Sequence, residues 1–150
     1  MKKLVFLGAV TVMAAGVALA SSLNVPFFLD NGTNEFPPAT GTAGFIGLHN
    51  NTDDLIICEV NYINPDGTTS TPADNTFVLP ANASISWRPC TDAPAEGPEG
   101  SAVPNKAGLP KAGSAVISWE GGPNDIQGRY AEYTSAAAQN SSSYTLPPGL

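Results

Sequence analysis

Leu55-Ile56-Ile57-Cys58-Glu59-Val60-Asn61-Tyr62-Ile63, followed at once by Asn64-Pro65-Asp66-Gly67, decides the fold. Ile56, Cys58, Val60 and Tyr62 alternate with Leu55, Ile57, Glu59 and Asn61, and a period of two is the signature of a β-strand. The first set is wholly apolar and faces a core. The second is apolar only at its start, so burial on that side is expected only near Leu55 and Ile57. Pro65 presets φ for a turn and Gly67 supplies a left-handed residue, which closes a hairpin. A return strand is expected over 68–71.

The same alternation continues on either side. Ala43, Phe45 and Gly47 alternate with Gly44, Ile46 and Leu48, ending at a polar turn over 50–53. Thr76 to Leu79 is stopped by Pro80. Ala83, Ile85 and Trp87 alternate with Ser84, Ser86 and Arg88. Ala115, Ile117 and Trp119, then Ile126 to Tyr133, then Tyr144 to Leu146 complete the series. Trp87 and Trp119 continue the apolar faces of Ile85 and Ile117 and read as core. With no helical stripe and turns at regular spacing, the pattern predicts an all-β, antiparallel, immunoglobulin-like β-sandwich of seven or eight short strands.

Two segments interrupt the rhythm. Residues 89–112 hold Pro89, Pro94, Pro98, Pro104 and Pro110 and no apolar period, which predicts an unusually long loop. Residues 21–40 read as an irregular arm ahead of a domain at 41–150, with Pro26, Pro37 and Pro38 and a turn at Asn31-Gly32. Within the arm, Val25, Phe27, Phe28 and Leu29 form an apolar extended stretch. It either packs on its own domain or adds as an exchanged strand to a neighbour's sheet edge.

The chain begins Met1-Lys2-Lys3, runs apolar from Leu4 to Ala20, and ends that run Ala18-Leu19-Ala20. Positive start, apolar core and small-residue end are the order of a secretory signal peptide, here residues 1–20. The seventeen-residue run sits at the short limit for spanning a bilayer, so no stable membrane insertion is expected after cleavage. The expected location is secreted, periplasmic or at a bacterial cell surface. Without that segment, four basic residues face thirteen acidic ones, a net charge of 4 − 13 = −9. Such a chain repels phosphate backbones and anionic membranes, which excludes nucleic acid as a partner. In an oxidising compartment the two cysteines, Cys58 and Cys90, are most simply one disulfide.

Inventory limits the chemistry further. His49 is the one histidine, both methionines lie in the first twenty residues, and no serine sits in a Gly-x-Ser-x-Gly elbow. Copper and zinc sites built on His, Cys and Met cannot be assembled beside a disulfide, and a hydrolytic triad has one possible histidine. No metal site, cofactor or enzymatic activity is expected, although oxygen-rich turns at 51–54 and 92–99 are chemically suited to calcium. The expected role is therefore a non-enzymatic structural or interaction protein of the cell exterior, with other extracellular proteins or copies of itself as partners. The alternative is a small carbohydrate-binding module, with Tyr130, Tyr133 and Tyr144 offering ring faces to a glycan.

Overall fold

A computed structural model describes residues 20–91, 97–98, 102–135, 137 and 140–149. The leader reading for residues 1–19 lies outside the described residues. Eight strands are present: β1 (Ala20–Leu29), β2 (Thr42–Asn50), β3 (Ile56–Ile63), β4 (Thr76–Leu79), β5 (Ser84–Trp87), β6 (Ala112–Glu120), β7 (Ile126–Thr134) and β8 (Ser141–Thr145). They form two antiparallel four-stranded sheets, ordered β1-β6-β3-β4 and β5-β2-β7-β8. No helix occurs among the described residues, and none is long and apolar enough to cross a membrane. The sandwich expectation therefore holds. The immunoglobulin order, in which the first two strands pair in one sheet, is not this one, because β1 and β2 lie in opposite sheets.

Alternation builds the core as the sequence implies. Ile56, Cys58, Val60 and Tyr62 of β3 face inward, opposite Ala115, Ile117 and Trp119 of β6, and the second sheet contributes Ile46, Leu48, Ile85, Trp87, Ile126 and Tyr130. Each fully buried side chain of this size contributes about 1.5–3 kcal/mol. Gly44 leaves room for a close approach between β2 and the end of β1. A Cβ there would stand 2.6 Å from the Leu29 carbonyl oxygen and 2.7 Å from the Tyr130 hydroxyl.

Several expectations are corrected. The arm is not irregular over its first half, because β1 pairs with β6 from Ala20↔Glu120 to Leu29↔Ala112. The register shifts between Val25 and Phe28, a bulge that takes up Pro26, whose missing N–H would otherwise break the ladder. Val25 and Phe28 are wholly buried in the chain's own core, while Phe27 points outward. The C-terminal tail then covers the outer side of β1. Asn24 N donates to Pro147 O (3.0 Å) and Gly149 N to Ser22 O (2.7 Å).

The return strand at 68–71 shrinks to one bridge, Ile63↔Thr69, beyond a turn whose Gly67 has φ 86°. Thr71 ends the ladder, because its hydroxyl oxygen takes the Tyr62 N–H (2.8 Å) in place of a backbone carbonyl. Leu55 and Ile57 are not half-buried. Each is 63% exposed on the outer face of the first sheet, beside Val78, because no element among the described residues covers that corner.

The disulfide is also absent: Cys58 and Cys90 are both free thiols. Cys90 N donates to Asp30 Oδ2 (2.8 Å), and Asp30 N donates to Lys111 O (3.0 Å), just beyond the Leu29↔Ala112 pair. That end of the sheet carries Tyr62, opposite Ala115. Cys58 lies four residues back along β3, roughly 13 Å at strand rise, whereas a bridge needs Cα atoms within about 7 Å. Burial pushes the Cys58 thiol up from 9.0 to about 12 and the Cys90 thiol to about 11. Both are thus protonated and slow to react near neutrality. Denatured without reductant, the protein is expected to take up two iodoacetamide groups by mass, whereas a bridged protein would take up none. The raised values also set a pH trend. The unfolded chain loses these protons from about pH 9, before the native one does, so stability falls as pH rises from there towards 12.

Candidate functional site

The outer face of the second sheet gathers side chains that no single stretch of sequence brings together. Its geometry follows from register. Ser84 of β5 lies opposite His49 of β2, which lies opposite Gln127 of β7. One step along, Ser86, Gly47, Arg129 and Thr145 form a row across all four strands. Phe45, Ala131 and Ser143 form the next, and Ala43, Tyr133 and Ser141 the last. Four rows at two residues each span roughly 20 Å along the strands.

The face is concave at its centre. Gly47 has no side chain, and a Cβ built on it would meet nothing closer than 3.8 Å, so the hollow is open space rather than a packing need. An open hollow of about 430 Å³ lies over Gly47, between Ser84, Ser86, Gln127 and Arg129. A second, of about 260 Å³, adjoins it and is walled by Phe36, Phe45, Tyr133 and Ser143, with Arg129 lining both. Phe36 reaches over the sheet from the 30–41 connection. Its ring is 64% exposed and stands edge-on to Phe45 (centroids 5.6 Å) and tilted against Tyr133 (5.2 Å).

Polar groups along the trough are partly committed. His49 Nδ1 hydrogen-bonds Ser84 Oγ (2.9 Å), Gln127 Nε2 donates to Asn51 Oδ1 (2.9 Å), and Arg129 Nη2 donates to Ser143 Oγ. His49 is thus a half-buried member of the face and not a freely exposed turn residue. Two carboxylates approach the aromatic end. Glu132 is turned to Ser142 Oγ (3.1 Å) and Tyr130 Oη (3.4 Å), and Glu35 Oε1 accepts from Ala39 N (3.3 Å). Hydrogen bonds at Glu35 hold its carboxyl below the usual range.

The three tyrosines named from the sequence are not one platform. Tyr130 is buried between the sheets, where burial raises its pKa and its hydroxyl accepts from Leu29 N (3.0 Å). Tyr144 packs against Tyr130 (5.3 Å) and donates to Phe27 O (2.9 Å), on the side away from the trough. Only Tyr133 reaches the outer face, because β7 alternates and 130 and 133 have opposite parity. Trp87 and Trp119 are core, as expected. Phe36 and Phe45, which sequence reasoning passed over, complete the aromatic cluster. The available signal was Phe45 sharing parity with Ala43 and Gly47.

Other candidates resolve into structure. The Val25–Leu29 stretch belongs to β1, an edge strand of the chain's own first sheet. The described ends of the loop after β5 are pinned, with Tyr62 Oη donating to Pro104 O (2.9 Å), Lys106 N to Pro89 O (2.7 Å) and Asn105 Nδ2 to Thr91 O (2.6 Å). No group of three or more His, Cys, Asp or Glu among the described residues could hold a metal ion, and most of 92–99 lies outside them. No protein-family model matches the chain, and no curated protein or solved structure matches it either.

Proposed function

We propose that the protein is a non-enzymatic interaction protein of the cell exterior, and that it works through the outer face of its second sheet. One observation carries this reading. A single exposed face combines a glycine-floored hollow, a row of hydroxyls and an aromatic cluster, while among the described residues no metal-ligand group accompanies it and its serine–histidine contact, His49 Nδ1 with Ser84 Oγ, has no carboxylate bonded to the imidazole to complete a triad. A strand-exchanging fibre subunit is less well supported, since β1 sits in the chain's own sheet with the tail across its edge. Light scattering on residues 21–150 is expected to give a monomer at all concentrations. Growth of mass with concentration would return the arm to consideration.

The aromatic cluster favours one partner class, a carbohydrate. Sugar rings offer apolar C–H faces for Phe36 and Tyr133 and a rim of hydroxyls for the Ser, Gln and His side chains, and sites of this kind combine apolar walls with a few placed polar groups. Glycan-array screening of residues 21–150 is expected to give binding that Phe36→Ala and Tyr133→Ala each weaken about tenfold, the scale of one lost aromatic contact. An array with no bound glycan would remove this reading.

A further inference from the structure

We infer that the trough takes an acidic saccharide, a chain of uronic acid units, with Arg129 reading the carboxylate. This rests on the carbohydrate reading above and adds the charge of the ligand to it.

The chain is poor in cations. It carries six Lys and Arg against thirteen Asp and Glu. Lys2 and Lys3 belong to the leader. Arg88 is buried against Asp30, and Lys106 is buried with its Nζ on the Pro110 carbonyl (2.7 Å). Among the described residues that leaves two exposed cations, Lys111 in a loop and Arg129. Arg129 stands at the middle of the trough, opposite Gly47, where both hollows meet. In a protein of net charge −7, a ligand with no charge preference gives no reason for a guanidinium at that point.

The neighbourhood is consistent with an anion. The side chains beside Arg129 are Ser86, Thr145, Ala131 and Gln127, all uncharged. The two carboxylates near the aromatic end are each engaged elsewhere, Glu132 with Ser142 and Glu35 with the Ala39 amide. Among the described residues Arg129 donates only to Ser143, through Nη2, so its other N–H groups remain for a planar carboxylate, which a guanidinium fits in a bidentate fork. Ser143 Oγ fixes the guanidinium beside the hollow instead of letting it extend into solvent. A ring stacked at Phe36 and Tyr133 then leaves the next unit of a chain over Gly47, with its acid group beside Arg129.

The test compares an oligogalacturonate with its methyl ester, which keeps every ring and hydroxyl and removes only the charge. Calorimetry on residues 21–150 at low salt is expected to give about tenfold tighter binding of the acid than of the ester. The preference should shrink at high salt. Arg129→Gln should abolish the preference, so that the variant binds acid and ester equally. Arg129→Lys should restore only part of it, because an ammonium lacks the fork. Gly47→Leu, which the fold has room for, should weaken both ligands by filling the hollow, with its thermal unfolding checked against the parent. Equal binding of acid and ester by the parent overturns the inference while leaving the carbohydrate reading standing. Binding of neither overturns both. An acid preference that survives Arg129→Gln overturns the assignment of the site.

Discussion

Replacing Asp30 by Ala is expected to lower the unfolding free energy by about 3–5 kcal/mol, the cost of leaving a buried charge without its partner. Asp30 is wholly buried and Arg88 nearly so. Asp30 Oδ1 accepts from Arg88 Nε (2.8 Å) and Nη2 (2.6 Å) and from Gly44 N (3.3 Å), while Oδ2 accepts from Cys90 N (2.8 Å). The guanidinium also donates to the carbonyls of Gly32 (3.1 Å) and Thr33 (2.7 Å). One ion pair thus ties the end of β1, the 30–41 connection, β2 and the start of the loop after β5. Those are the segments that carry Phe36 and floor the trough. Removing the carboxylate leaves the guanidinium and two backbone amides short of an acceptor. Removing Arg88 instead strands the carboxylate and two carbonyls, at similar cost. The double variant Asp30→Leu with Arg88→Met should cost less than the two single losses summed, with a coupling of about 0.5–3 kcal/mol. It will still be less stable than the parent, because the Gly44 and Cys90 amides remain unpaired. Urea unfolding of the four proteins measures this directly, and strictly additive losses would mean the pair does not act as a unit.

Replacing Trp87 by Ala is expected to cost about 3–5 kcal/mol through the cavity it leaves. Trp87 is among the largest fully buried side chains and packs against Phe77 with centroids 5.8 Å apart. Its second role is polar. Nε1 donates to Tyr62 Oη (2.9 Å), which in turn donates to Pro104 O (2.9 Å), so the indole orients the hydroxyl that pins the long loop. Trp87→Phe should recover most of the packing but not the hydrogen bond, and Tyr62→Phe should lose the pin alone, at about 1–3 kcal/mol for the groups left unsatisfied. Limited proteolysis separates the effects. Tyr62→Phe and Trp87→Phe should open cleavage within 102–111 under conditions where that segment of the folded parent resists. Unchanged cleavage in both would show that the loop is held by its own backbone bonds.

The sequence was most legible where one physical rule acted alone. Alternation placed Ile56, Cys58, Val60 and Tyr62 on a buried face and Trp87 and Trp119 in the core, since a half-buried strand allows only one apolar parity. It misled where two signals met. Pro26 and the nearby turn residues disguised β1, although Leu23, Val25 and Phe28 carry its inward face across a bulge. Leu55 and Ile57 read as half-buried because apolarity alone suggests burial, yet no element among the described residues reaches that corner. Cys58 and Cys90 read as a bridge because an even count says nothing about distance.

The residues by themselves determined that the chain is all-β, which faces of its strands are buried, and that it is acidic with few cations and one histidine. These are local properties, fixed by period, turn chemistry and inventory. Only the tertiary structure decided that β1 pairs within the chain's own sheet, at its edge, and that Phe36, Phe45, Arg129, Tyr133 and Ser143 share one trough. Parity tells which residues of a strand point the same way. It does not tell which strand lies beside it, or in what register, and the trough exists only because Gly47 falls opposite Arg129 and Phe45 opposite Ala131.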